Sequence, residues 1–209
     1  MLPKIILASA SPARLKLLQS VGISPTIRIS SVNEDVAVAT HMWSHPSEIA
    51  MGLATLKAED IVNGDMQTPA LVIGCDSVME HSGIPLGKPE SVEIAKSRLR
   101  SLSGNFGTLH TGHCVIYCSE HENRVVSRLV STDVYFHELT DIEIDAYVRT
   151  GEPLRVAGSF TLDALGAPFI KSISGDASNV VGLSLPTLRL IFQELGFGWD
   201  EVLSKVTAE

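Results

Sequence analysis

The sequence predicts one α/β domain built on a mixed sheet, with two lobes around a deep cleft, and three observations carry that prediction. Ile5-Ile6-Leu7 and Ala70-Leu71-Val72-Ile73-Gly74 are continuous apolar runs of the kind buried on both faces of a sheet. Segments of helical period alternate with such strands through the first half of the chain. Two long strand-like segments, about 109–119 and 124–137, then read as an antiparallel hairpin turning at 120–123, which a purely parallel sheet would lack. No linker or repeat interrupts the pattern, so residues 1–209 are read as a single domain.

The first strand leads into a short turn of small residues, Ala8 to Ser11. Ser11 is placed as an N-cap and Pro12 at the first helical position, where its missing N–H costs nothing. Leu15 and Leu18 share a face of that helix, and Gly22 ends it. Residues 26–32 read as a strand that delivers Glu34 and Asp35 at its C-terminal end. A helix over 46–62 follows, with Ile49, Leu53, Leu56 and Ile61 on its apolar face and Lys57 beside it, and then a polar loop over 64–69. The strand over 70–74 ends in Cys75-Asp76-Ser77. His81-Ser82-Gly83 reads as a turn, residues 91–102 as a helix, and Thr140-Asp141-Ile142-Glu143 as the capping box of a helix running to Gly151. Short strands are expected near 158–162, 169–173 and 179–183, and a last helix over about 186–195.

A formal net charge of −8 argues against non-specific binding to nucleic acid or acidic membranes, because a polyanion is met only through a local basic pocket or bound metal. No apolar run approaches the roughly 18 residues of a membrane span, and Met1-Leu2-Pro3-Lys4 leads directly into a strand, so neither a membrane segment nor a signal peptide is expected. Cys75, Cys114 and Cys118 are an odd count with no disulfide framework, which points to reduced thiols and a cytoplasmic setting.

Arg14 is the informative residue of the first turn. A cation there opposes the helix dipole and is explained by an anion seated at the free N–H groups; the alternative is a solvated charge with Ser9 and Ser11 merely capping. Asp76 and Glu34 each follow a strand, where ligands of open α/β sheets gather, and together they are suited to a hard divalent cation. Taken singly they are also ordinary loop acids. Gly87-Lys88-Pro89 fixes the backbone on both sides of a cation. His110, Cys114 and Cys118 fall on one strand face, but they spread over roughly 27 Å at 3.4 Å per residue, too far for one zinc ion, so the core reading is preferred; His113 points to the other face.

These motifs occur together in a set order: Leu7-Ala-Ser-Ala-Ser-Pro-Ala-Arg14, Asp76-Ser77, Gly87-Lys88-Pro89, Leu102-Ser103-Gly104, Thr150-Gly151-Glu152-Pro153 and Val180-Val181-Gly182-Leu183. In that order they resemble the Maf family of nucleoside triphosphate pyrophosphatases, also described as septum-formation inhibitors. The resemblance covers nearly the whole chain and implies the Maf and inosine triphosphatase-like fold, a homodimer, and hydrolysis between the α and β phosphates with Mg²⁺ or Mn²⁺. It implies that Ser9, Ser11 and Arg14 bind phosphates, that Glu34 and Asp76 hold metal with Asp76 accepting the proton, and that Lys57 and Lys88 are the family's lysines. It also places Ala13, Ser77 and Asp163 where base preference is set. The chain departs from the family there. Ala13 stands where many members have arginine, Ser77 where threonine is frequent, and Gly107 where a histidine is usual. Ala157-Gly158-Ser159-Phe160-Thr161-Leu162-Asp163-Ala164 replaces the Ala-Gly-x-Tyr-Gly-Ile-Gln-Gly of the pyrimidine-cleaving branch. An ionised Asp163 accepts only, which favours bases presenting amino donors over UTP and dTTP. A nucleotide-binding regulator of septum formation with little turnover is the competing function.

Overall fold

The computed structural model describes residues 2–64 and 66–206, so Met1, Asp65 of the predicted polar loop and residues 207–209 lie outside the described residues. In chain order the elements are β1 (Lys4–Leu7), α1 (Pro12–Ser20), β2 (Thr26–Ile27), α2 (Glu34–His41), α3 (Pro46–Val62), β3 (Ala70–His81), β4 (Ile84–Leu86), α4 (Val92–Leu102), β5 (Phe106–Cys118), β6 (Asn123–Phe136), α5 (Asp141–Arg149), β7 (Ile170–Ser174), α6 (Ala177–Val181), α7 (Leu185–Glu194) and α8 (Trp199–Val206). The strands form one seven-stranded mixed sheet in the order β2-β1-β3-β5-β6-β7, with β4 paired to β3. β2, β1 and β3 are parallel, and every other pairing is antiparallel.

The β1 position decides where the site lies. Its chain leaves through α1 to β2 on one side, and returns through α2 and α3 to β3 on the other. That reversal of direction sets a crevice beyond the carboxyl end of β1, alongside β3, which runs on past it. Alternation along the strands sorts the two faces. Leu7, Leu71, Ile73, Cys75 and Val115 pack with α1, α7 and α8, while Ile6, Val72, Cys114, Ile116 and Cys118 pack under α3. Two further apolar clusters lie towards the other end of the sheet. One gathers Met79, Leu102, Leu109, Val134 and Phe136, the other the contact between α4 and α5.

α3 keeps its predicted bounds, but its buried stripe is Ala50, Leu53, Ala54, Lys57, Ala58 and Ile61 rather than one containing Ile49 and Leu56. The alanines recur every fourth residue because the sheet beneath them is notched. A Cβ on Gly74 of β3 would collide with the Ala54 carbonyl oxygen and stand 2.9 Å from the Ala58 Cβ, and one on Gly112 of β5 would collide with the Ala50 carbonyl oxygen. Helix backbone therefore lies almost directly on sheet backbone. Gly74→Ala is expected to cost about 1–3 kcal/mol of stability by overpacking. Unchanged urea unfolding of that variant would show that α3 shifts freely.

Four expectations are corrected. The strand over 26–32 stops at Ile27 because serine side chains take over the backbone groups beyond it: Val32 N–H donates to Ser30 Oγ (3.2 Å), and the backbone N–H and hydroxyl of Ser31 both donate to Asp60. The strand expected at 158–162 is a tight turn with Gly158 at φ 72° and Ser159 at φ 62°, a hand no strand adopts. The strand expected at 179–183 is helix α6, capped by Asp176 and closed by Gly182 at φ 125°. β3 does not end at Gly74 but runs to His81, because β5 pairs with it from Ala70 to Glu80. α2 and α8 were not predicted at all. α2 was nonetheless signalled by Asn33 as N-cap, Glu34 and Asp35 in the first turn and His41 in the last.

Candidate active site

Small residues make the turn between β1 and α1. Ser9 Oγ accepts from Ser11 N–H (3.2 Å), and Ser11 caps the helix by accepting from Arg14 N–H (3.4 Å), as expected. Arg14 is not a solvated charge, being only 9% exposed. Its Nε donates to the Gly182 carbonyl (2.8 Å), Nη1 to Ser9 Oγ (3.0 Å) and Nη2 to Ser77 Oγ (3.1 Å). Three of the five guanidinium N–H groups are thus met within the protein, which leaves two for an anion. Removing Arg14 would cost stability as well as affinity.

The carboxylates meet on the α3 face. Asp76 lies inside β3, opposite Gly112, rather than past the strand's end; it lies beyond the end of β1, whose last pair is Leu7 with Ile73. Glu34 is the first residue of α2, not the end of a strand. Lys57 Nζ bridges them, donating to Glu34 Oε1 (2.7 Å) and to Asp76 Oδ1 (2.5 Å). Lys57 is held there by the flush seating of α3 on Gly74, two residues before Asp76.

Environment drives the two acids apart. Burial pushes the Asp76 carboxyl above its ordinary value, against the pull of Lys57 and Arg14. Burial also penalises Glu34, but it is more exposed, and there the hydrogen bond and charge of Lys57, with Lys88 and Arg14, outweigh it and hold its pKa low. Cys75, next to Asp76, is pushed by burial to about 12 and is inert as a nucleophile at neutral pH.

Lys88 is exposed on the loop after β4, near enough for its charge to act on Glu34. The structure therefore brings together Ser9, Arg14 and Ser77 as one hydrogen-bonded group, and Glu34, Lys57 and Asp76 as another, with Lys88 acting on the second. Asp163 belongs to neither group by contact. It is exposed on a loop that Glu152 ties down, accepting from Tyr147 Oη (2.8 Å), Thr161 Oγ1 (2.5 Å), Leu165 N–H (3.3 Å) and Gly166 N–H (3.1 Å). Among the described residues no cluster of three or more His, Cys, Asp or Glu is placed to hold a metal ion; Cys114 and Cys118 are core residues, and His110 pairs with Glu80 (2.9 Å).

Sequence reasoning missed two participants, the Gly182 carbonyl and Thr111. The first has no side-chain signal. The second showed only as a polar residue within an apolar strand.

Fixed charges of both signs thus stand at the switch point of a helix-covered α/β sheet, the place where proteins of that class take their ligands. A family model described as Maf-like protein matches residues 4–195, and the chain belongs to that family. It is 48% identical over 199 residues to a protein of Streptomyces coelicolor named nucleoside triphosphate pyrophosphatase, covering 95% of this chain and 94% of the relative. Relatives of the same name from Streptomyces avermitilis and Rippkaea orientalis are 47% and 45% identical, each over at least 92% of both chains. No helix among the described residues is long and apolar enough to cross a membrane.

Proposed function

We propose that the protein hydrolyses nucleoside triphosphates, non-standard nucleotides among them, to the monophosphate and pyrophosphate, using Mg²⁺ or Mn²⁺. The observation that carries this reading is the Lys57 ammonium shared by Glu34 and Asp76 beside a buried arginine with N–H groups to spare. The names of the relatives support the same reaction.

The donor set fits a hard divalent cation. Two carboxylates already converge on one positive centre, and Mg²⁺ is commonly held by one or two carboxylates with phosphate oxygens and water supplying the rest. Glu34 and Asp76 would hold it. When bound, the metal neutralises phosphate charge and makes water a stronger acid.

The chain's own residues do the remainder. Arg14 directs its two remaining N–H groups, and Lys88 its charge, at phosphate oxygens, so positioning and charge neutralisation carry the catalysis. Asp76 takes the proton of the attacking water. Lys57 fixes its orientation through the bond to Oδ1. Asp163, as an acceptor on the Glu152-anchored loop, favours bases with amino donors. The septum-regulator reading is not favoured, since the relatives are named for the pyrophosphatase reaction.

The test is incubation of the protein with a nucleotide panel and Mg²⁺ or Mn²⁺, reading pyrophosphate and orthophosphate separately. Pyrophosphate with the monophosphate is expected, and chelation by EDTA should cut the rate by at least about a hundredfold. Orthophosphate as the product, or no turnover with any nucleotide, would overturn the proposal.

A further inference from the structure

Ser77 is one end of a hydrogen-bond chain that leads away from the crevice into the sheet. Arg14 Nη2 donates to Ser77 Oγ (3.1 Å), Ser77 Oγ lies 3.0 Å from Thr111 Oγ1, and Thr111 donates to the Asn179 carbonyl (3.3 Å). Thr111 is fully buried on β5, opposite Ser77 in the β3–β5 register, and Asn179 is fully buried in α6. The two ends of the chain differ in kind, one a guanidinium cation and the other a carbonyl oxygen that has no proton to give.

That asymmetry sets the direction of both hydroxyls. Each turns its oxygen towards Arg14 and its proton towards Asn179, and each bond polarises the next. Ser77 therefore gives its proton to Thr111. One of its lone pairs is taken by Arg14, and what it has left for a ligand is a second lone pair. A hydroxyl in that state cannot hydrogen-bond to an ionised phosphate oxygen, which also only accepts. It can accept from a base N–H or a ribose O–H.

We propose that Thr111 is a positioning residue for substrate choice: by taking the Ser77 proton it makes Ser77 an acceptor, and so assigns Ser77 to the nucleoside half of the substrate rather than to its phosphates. This rests on the pyrophosphatase reading and on Ser77 facing the bound nucleotide. Without the Thr111 oxygen, the Ser77 proton is released to the ligand, and acceptors on the nucleoside become partners in place of donors.

The experiment measures kcat/KM for CTP, UTP, dCTP and dUTP by pyrophosphate release, in wild type, Thr111→Val, Thr111→Ser and Ser77→Ala. The first two nucleotides differ in their base donor and acceptor groups, and the deoxy pair lacks the ribose 2′-hydroxyl. In Thr111→Val the CTP to UTP ratio is expected to fall by about tenfold, the scale of one mismatched hydrogen bond, while the ribo to deoxy ratio holds, because a ribose hydroxyl accepts from Ser77 as readily as it donates to it. Thr111→Ser, which keeps the hydroxyl, should return the wild-type ratios, whereas a merely structural role would slow all four nucleotides alike. Thr111→Ala is made in parallel in case valine is not accommodated. Unchanged ratios in Thr111→Val and Thr111→Ala, with Ser77→Ala altering them, would overturn the role of Thr111. Unchanged ratios in Ser77→Ala would overturn the nucleoside assignment itself. Wild-type protein that releases no pyrophosphate would instead remove the reaction on which both rest.

Discussion

Asp76→Asn is expected to lower kcat by a factor on the order of a thousand or more while nucleotide still binds. The amide keeps the shape of the side chain and an oxygen for Lys57, whose Nζ now meets Asp76 Oδ1 and Glu34 Oε1 (2.5 and 2.7 Å). It removes the negative charge and the proton acceptor. Arg14, Lys88 and the Ser9 turn are untouched, so affinity should stay within a few-fold of wild type. Single-turnover pyrophosphate release beside equilibrium nucleotide binding measures both halves. Turnover within tenfold of wild type would remove Asp76 from the chemistry.

Acid should weaken the fold itself through His113, on the sheet face opposite Lys57. Burial holds its pKa down to about 4, and its Nε2 accepts from the Ser184 backbone N–H (2.8 Å) at the cap of α7. A proton on Nε2 would put two donors face to face. The folded pKa lies below the unfolded value near 6.5, so between those values the unfolded chain binds more protons, and stability is present at neutral pH and lost on acidification. By pH 4.5 the loss from this residue should be about 2–3 kcal/mol. Urea unfolding at pH 7 and pH 4.5 measures it, with His113→Gln as the comparison. The variant is expected to start less stable and to lose less. Equal losses in the two proteins would show that His113 is not the acid-sensitive group.

Local chemistry was legible in the sequence, and its tertiary completion was not. Ser11-Pro12 and Thr140 with Glu143 announced helix starts because capping is decided within four residues. The bounds of α3 followed from Pro46 and the polar residues after Val62. Candidate site residues were named one by one, but no spacing shows that Lys57 reaches both Glu34 and Asp76, which stand 23 and 19 residues away. The length of β3 is hidden for a related reason. Polar residues after Gly74 look like a strand's end until β5 is known to continue the ladder beside them. The buried face of α3 is hidden in the sequence because alanine carries little apolar signal, although here the alanines make the closest approach. At Ser159, nothing in the residue type announces a left-handed backbone, which the packing around it imposes.

One bond of Arg14 ties the first helix to a segment far along the chain. Its Nε reaches the Gly182 carbonyl across 168 residues of sequence. A chain emerging from a ribosome has its hydroxyl-lined turn, both carboxylates and Lys57 long before it has Gly182. The long β5–β6 hairpin closes locally, whereas this contact must wait for the closure of a loop of 168 residues. Until then the guanidinium has neither its carbonyl nor the Asn179 end of the Ser77–Thr111 chain to orient it. The site is thus finished in time by a segment made long after its acids, and a chain ended before Gly182 carries the acids of the crevice without the arginine fixed beside them.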